Sequence, residues 1–285
     1  MTARRAYDAI VLDLDGTLLD EGSSIRPRNR EALLAAEAAG VKVMIATGRS
    51  SLSADPVLVE LDLGLPAIVF NGAGLYCARK KRLLEERILS NRSVERVLAY
   101  ARERDLLTVV MRADDKLTTR PHDEEEERAL RWMTGLKRVE RDALEGTEYV
   151  IRVTLLSRDH GDSARFAREV EEAVRAPCYI TDFPLHVLPH HRDSALDVID
   201  LHPPCLGKAE ALRFLREEHG VDPARVVAVG DATNDLPMFE AAGLSVCMAE
   251  GMPEARAAAR RVIGSNESDA IADLVEELFL APARA

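Results

Sequence analysis

The stretch from Tyr7 to Leu19 constrains this chain most: four apolar residues, Ala9 to Leu12, run directly into Asp13, Leu14, Asp15, Gly16 and Thr17. The run is too short for a helix, contains Ile10 and Val11, and stops near a glycine, which predicts a buried strand in a parallel sheet. Two acids therefore stand at the carboxyl end of a strand, where open α/β sheets bind ligands. Gly16 lets the chain leave in a tight turn that brings both carboxylates towards one point. Like charges at such range raise one pKa, so the site either holds a cation or keeps one acid protonated. An acidic turn capping the next segment is the plainer reading of the same residues. An EF-hand loop does not fit, because its glycine comes sixth and its glutamate twelfth, whereas here Gly16 is fourth and Ser24 twelfth.

The same grammar recurs along the chain. Arg28 to Ala39 has helical spacing and ends at Gly40, and Val41 to Ala46 is a second buried strand, ending in Thr47, Gly48, Arg49 and Ser50. A hydroxyl, a glycine and free backbone amides at a strand's carboxyl end suit phosphate oxygens; a simple N-cap for Ser50 to Leu61 is the alternative. Ala67 to Phe70 is a third strand, followed by Asn71, Gly72, Ala73 and Gly74. This resembles a dinucleotide fingerprint only weakly, since Cys77 stands where the last glycine belongs and Arg79 to Arg82 where the helix would open; a Walker A pattern is absent from the sequence. Farther on, the strand Arg225 to Val229 ends in Gly230, Asp231, Ala232, Thr233, Asn234 and Asp235. Asp231 and Asp235 are spaced so that their oxygens can converge on a hard cation. Magnesium fits, since it takes few carboxylates, keeps waters and completes its octahedron with substrate phosphate. Lys208, near the start of a helix that runs to Glu218, is one of only six lysines in a chain that writes most cations as arginine. A compact charge there can be shared by a carboxylate and a phosphate, the alternative being an ordinary solvated residue.

Between these stretches the texture changes. Leu75 to Cys77 and Leu83 to Ile88 read as a hairpin leaving the first domain. Helices over Val94–Arg104, Asp123–Met133 and Ser163–Val174 then alternate with more exposed strands over Leu106–Met111, Tyr149–Leu156 and Cys178–Val187. The expected organisation is an α/β core of three layers, Rossmann-like with a mostly parallel sheet, formed by residues 1–80 and 193–285, with an α+β insert over 81–192. The strand Ala195–Leu201 is expected to resume the core, and Ile271–Phe279 to close it as an amphipathic helix. The acidic run Asp123–Glu127 reads as a solvated first helical turn. His186, His190 and His191 lack acidic ligands in register, so they read as polar residues facing a substrate rather than a metal site.

Charge and cysteine content bound the partners. With 38 Lys and Arg against 49 Asp and Glu, the chain is no general nucleic-acid binder. Arg4 and Arg5 precede an apolar run broken by Asp8 and Asp13, which is not a signal peptide, and nothing later is apolar enough to span a membrane, so the cytoplasm is expected. Cys77, Cys178, Cys205 and Cys247 are far apart and read as reduced. The sequence carries no signal for oligomeric state.

The four motifs Asp13-Leu14-Asp15-Gly16-Thr17, Thr47-Gly48-Arg49, Lys208 and Gly230-Asp231-Ala232-Thr233-Asn234-Asp235, in that order, resemble the signature motifs of the haloacid dehalogenase superfamily. Within it the chain is similar to the Cof-type phosphatases with a class IIB cap. These carry a large cap between the second and third motifs and often an Asn-Gly-Ala, as at Asn71-Gly72-Ala73. The chain departs from the pattern at Ala209, where glycine is common, and at Glu250-Gly251 after Met248, where glycine-asparagine is usual. The resemblance implies a magnesium-dependent phosphatase acting on a small phosphorylated metabolite, such as a sugar phosphate, through an aspartyl-phosphate. Asp13 would be the nucleophile and Asp15 the acid and base. Magnesium would sit on Asp13, the Asp15 carbonyl and Asp231, with Asp235 in support. Lys208, Thr47, Gly48, Arg49 and Asn234 would hold the substrate, and the insert would set specificity. A phosphomutase of the phosphomannomutase type and a phosphate-binding module without turnover are the alternatives.

Overall fold

A computed structural model describes residues 5–131 and 133–281. Arg4, and Trp132 within the expected helix Asp123–Met133, lie outside the described residues. In chain order the first segment comprises β1 (Ala9–Leu12), α1 (Pro27–Ala38), β2 (Lys42–Ile45), α2 (Ser51–Leu61), β3 (Ala67–Val69), β4 (Gly74–Cys77) and β5 (Arg82–Glu86). There follow α3 (Asn91–Glu103), β6 (Leu107–Met111), β7 (Lys116–Thr118), α4 (Glu124–Leu130), β8 (Leu136–Arg138), α5 (Arg141–Glu145), β9 (Arg152–Ser157), α6 (Ser163–Val174), β10 (Tyr179–Pro184) and β11 (Asp197–His202). The chain ends through α7 (Glu210–His219), β12 (Val226–Gly230), α8 (Leu236–Ala241), β13 (Leu244–Cys247), α9 (Pro253–Ala258), β14 (Arg261–Val262) and α10 (Ala270–Val275). Among the described residues no helix is long and apolar enough to cross a membrane.

The chain divides into two compact units, one of residues 1–49, 54–84 and 206–285, the other of 50–53 and 85–205. The first is built on a five-stranded sheet in the order β14-β13-β12-β1-β2, every pair parallel. A single parallel bridge between Ala46 and Ile68 brings β3 alongside β2, and β3 pairs antiparallel with β4 in a three-stranded β3-β4-β5 sheet. The strands β1 and β12 are buried along their whole length, as parallel strands covered on both faces must be. Ala9, Val11 and Ala228 pack with Ala211, Leu212, Leu215, Met238 and Phe239 of α7 and α8. By the pleat, Ile10, Leu12, Val43 and Ile45 point to the other face and are equally buried. The helix α1 packs on β2 and on α10. The two helices are joined by fully buried Asn29, whose Oδ1 accepts from Ala272 N at 3.0 Å. The chain leaves β1 in one direction towards β2 and arrives at β12 on the other side. The strand order therefore reverses at β1, and the carboxyl ends of β1 and β12 flank the crevice where such sheets bind ligands.

The second unit holds a six-stranded sheet in the order β10-β11-β9-β6-β7-β8. One face packs with α3 and α6 in a core of Val97, Leu98, Tyr100, Val110, Val153, Leu155, Phe166, Val170, Ile199 and Leu201. The strand Ala195–Leu201, expected to resume the first unit, is β11 and pairs antiparallel with β9 and β10. Its apolar pattern suits either sheet, and only pairing decides which one takes it. The insert's strands are also less exposed than expected: β6, β9 and β11 are buried throughout, and β10 is half-buried. The acidic run does more than meet water. Asp123 caps α4 by accepting from Glu125 N and Glu126 N, and pairs with Arg158 at 2.7 Å. Arg158 and these amide hydrogen bonds hold its carboxyl down at about 2. Glu126 is buried against His122, and Glu125 accepts from Ser194 Oγ and Ala195 N. His186, His190 and His191 fall in two short 3₁₀ turns after β10, and no metal-ligating group of three includes them among the described residues.

Candidate active site

Asp13 is the first residue after β1, and its backbone N–H donates to Val229 O of β12 at 2.9 Å. This fixes the strand end, and Asp13 there is 4 % exposed. Gly16 then turns the chain at φ +74°, and a Cβ there would lie 2.4 Å from Asp231 Oδ2, so only glycine lets the two acidic loops approach. Thr17 Oγ1 donates to Asp231 Oδ1 at 3.0 Å. Across the switch point, β12 ends in Gly230, where a Cβ would meet the Asp235 carboxyl at 2.3 Å. A 3₁₀ turn over Thr233–Asp235 opens α8. Asp235 is wholly buried, with Oδ2 accepting from Asp231 N and Ala232 N at 2.8 and 2.9 Å and Oδ1 accepting from Lys208. The Met248–Met252 loop, where Glu250-Gly251 departs from the usual pattern, closes on the same strand end: Met248 N donates to Gly230 O and Met252 N to Asp231 O.

Lys208 lies in the 3₁₀ turn Gly207–Ala209 that leads into α7, and it is 1 % exposed. Its Nζ donates to Asp13 Oδ1 at 2.8 Å, Asp235 Oδ1 at 2.6 Å and Asn234 Oδ1 at 3.2 Å. Burial alone would lower its pKa, but the Asp13 and Asp235 carboxylates raise it above the ordinary lysine value. The acids respond in the opposite sense. Burial, partly countered by Lys208 and reinforced by Asp235 and Asp15, pushes Asp13 up to about 7. Burial and the charges of Asp13 and Asp235 raise Asp231 well above the usual carboxylate range. Carboxylate oxygens of Asp13, Asp231 and Asp235 lie within 4.8 Å of one another. One ammonium does not neutralise three crowded acids, two of them buried, and hard oxygen donors this close together fit a divalent cation.

Thr47 is fully buried at the end of β2, and its Oγ1 accepts from Arg49 N at 3.1 Å. Arg49, expected on the substrate side, is engaged with Asp15: Nε donates to Oδ2 at 2.8 Å and Nη2 to Oδ1 at 2.5 Å. Burial works against the Arg49 charge, yet this fork-to-carboxylate pair raises its pKa. Asp15 is the open member of the group, its side chain 47 % exposed. The structure thus brings Asp13, Lys208, Asn234, Asp231 and Asp235 into direct or neighbouring contact, and sets Asp15 with Arg49 beside them.

Two residues outside the expected set join the site. Thr17 holds Asp231, and buried Asn71 accepts at Oδ1 from Asn234 Nδ2 at 3.1 Å. Thr17 could have been picked out as a hydroxyl in the acidic turn. Asn71 was visible only as the head of the Asn71-Gly72-Ala73 triplet after a strand, with no role attached to it.

A buried carboxylate, a buried lysine and a cluster of acids that could hold a metal ion stand together at the switch point of a parallel sheet. The chain belongs to the haloacid dehalogenase-like hydrolases, whose family model matches residues 10–275. It is a phosphoric monoester hydrolase of their Cof type. It is similar to the 5-amino-6-(5-phospho-D-ribitylamino)uracil phosphatase YwtE of Bacillus subtilis, with 26 % identity over 95 % of this chain and 97 % of the relative. It is similar too to the pyridoxal phosphate phosphatase YbhA of Escherichia coli, with 29 % identity over 93 % of this chain and 96 % of the relative. In fold it matches the structure of the subclass IIB sugar phosphatase BT4131, with a TM-score of 0.78 at 20 % identity, covering 95 % of this chain and 98 % of that one.

Proposed function

We propose that the chain is a magnesium-dependent phosphatase that hydrolyses a small phosphorylated metabolite through an aspartyl-phosphate on Asp13. The observation that carries this reading is the Lys208 ammonium, fixed between Asp13 and Asp235 beside the Asp231 carboxylate. Asp13, Asp231 and the Asp15 backbone carbonyl would hold magnesium, with Asp235 in support; the ion would offset the repulsion between a carboxylate and a phosphate dianion. An Asp13 carboxylate oxygen attacks phosphorus as the bond to the ester oxygen breaks, and Asp15 gives the leaving alkoxide its proton. Water, giving a proton to Asp15, then attacks the phosphoryl group, the bond to Asp13 breaks and inorganic phosphate leaves. Lys208 and Thr47 stabilise charge on the equatorial oxygens, with Gly48 beside them letting the phosphate approach the backbone. Asn234 holds Lys208 on its substrate side, and Arg49 holds Asp15.

The relatives named above act on substrates as unlike as a phosphoribityl compound and pyridoxal phosphate, so the substrate class is a small phosphate ester, sugar phosphates included. The second unit, as an inserted cap, would select among them. The test is a screen of phosphorylated metabolites with magnesium, with EDTA and calcium arms and the Asp13→Asn variant. Phosphate release should vanish in EDTA, return with magnesium but not calcium, and be lost in a folded Asp13→Asn protein. Substantial turnover by that variant would remove the covalent route, and a strict need for a bisphosphate activator would point to a mutase instead.

A further inference from the structure

We infer that Asn71 is a positioning residue of this active site, holding Lys208 in its working place through Asn234; this rests on the roles proposed above for Lys208 and Asp13. The turn after β3 is unusual. Phe70, Asn71 and Gly72 all have positive φ, at 52°, 49° and 101°. Residues with a Cβ seldom take the left-handed conformation, and for a bulky aromatic it is a true outlier. The turn is held there by the loop that carries the second motif: Phe70 N donates to Arg49 O at 2.8 Å and Asn71 N to Thr47 O at 3.1 Å. The Phe70 ring is completely buried. Such a backbone persists only where its surroundings over-determine it, and it is concentrated at functional sites.

This backbone delivers one carboxamide. Asn71 Oδ1 accepts from Asn234 Nδ2 at 3.1 Å, which leaves Asn234 Oδ1 to accept from Lys208 Nζ at 3.2 Å. An ammonium has three donors, and the other two go to Asp13 Oδ1 and Asp235 Oδ1. The relay therefore runs Asn71, Asn234, Lys208, Asp13, and each group fixes the orientation of the next. Without the Asn71 acceptor, nothing obliges Asn234 to keep its oxygen towards Lys208. With its nitrogen turned there instead, two donors would face each other and the ammonium would lose its third partner. The neighbours make room for the relay. A Cβ on Gly48 would come within 3.0 Å of Asn71 Oδ1, and one on Gly72 within 2.4 Å of Gly207 O, so the three loops close around Asn71 only because both positions are glycine.

The test is a double-mutant cycle on the full chain: wild type, Asn71→Gly, Asn234→Ala and the double variant, assayed with p-nitrophenyl phosphate and magnesium. Glycine suits the left-handed backbone, so Asn71→Gly removes the amide without adding strain. The expected result is a loss in kcat of roughly tenfold for Asn71→Gly with an unchanged or higher Tm, and no further loss when Asn71→Gly is added to Asn234→Ala. A kcat unaffected by Asn71→Gly, or an equal loss in both backgrounds, overturns the inference while wild-type turnover leaves the hydrolase reading intact. Absence of wild-type turnover on every phosphate ester tried would overturn both together.

Discussion

Replacing Lys208 by methionine removes the ammonium around which the buried acids are arranged, and its cost should depend on pH in a defined sense. At an effective dielectric near 20, unit charges 2.8 and 2.6 Å apart attract by about 6 kcal/mol each. Burying the ammonium offsets much of that, and deleting one partner of such a buried pair destabilises by about 3–5 kcal/mol. The pH dependence follows from Asp13, which ionises near 7 with Lys208 present. Without the ammonium its carboxyl stays neutral to higher pH. Above pH 7 the folded variant then keeps a proton that the folded wild type has released, and the cost of the substitution grows by up to about 1.4 kcal/mol per pH unit. Below pH 7 Asp13 is neutral in both proteins and this increment disappears. Urea unfolding of both proteins in EDTA, at pH 6 and pH 8.5, should therefore show a loss about 2 kcal/mol larger at the higher pH. An equal loss at the two pH values would refute the view that Lys208 is what allows Asp13 to ionise.

Magnesium should stabilise more at pH 8 than at pH 5.5. The unfolded chain releases the Asp13 proton near 3.8, whereas the folded chain holds it to about 7, and burial raises Asp231 in the same direction, so metal-free stability falls as pH rises through that window. Thermal shift at the two pH values measures this, and a shift independent of pH would contradict it. Asp15→Asn should slow the first step more on sugar phosphates than on nitrophenyl phosphate, whose leaving group needs no proton, and should slow breakdown of the aspartyl-phosphate on both. A nitrophenol burst with trapped phosphoenzyme is the sign, and equal first-step losses with intact magnesium binding would reduce Asp15 to a structural role. Thr17→Val keeps the shape of a fully buried side chain but removes the hydrogen bond to Asp231. It should weaken magnesium binding roughly tenfold, which isothermal titration reads directly.

What the sequence determined by itself is what short-range chemistry can write. Ala9–Leu12 and Val226–Gly230 are buried strands because β-forming apolar runs end abruptly in glycine and acid, and the acids lie at their carboxyl ends because strand direction and residue order are one fact. Thr47, Lys208 and Asp235 were legible for the same reason: each sits within a few residues of a strand end or a helix start. Tertiary structure decided which of these ends meet. The Thr17–Asp231 bond spans 214 residues and the Asn234–Asn71 bond 163, and no local preference encodes a partner so distant. It also decided the sheet that takes β11, since an apolar run specifies burial but not which open edge supplies its hydrogen bonds. Above all it set the charge states. Asp13 is an ordinary aspartate in the sequence, and only burial, with Asp235 and Asp15 nearby and against the pull of Lys208, moves its proton to neutral pH, because desolvation and Coulomb energy are properties of an enclosed volume and not of a chain position.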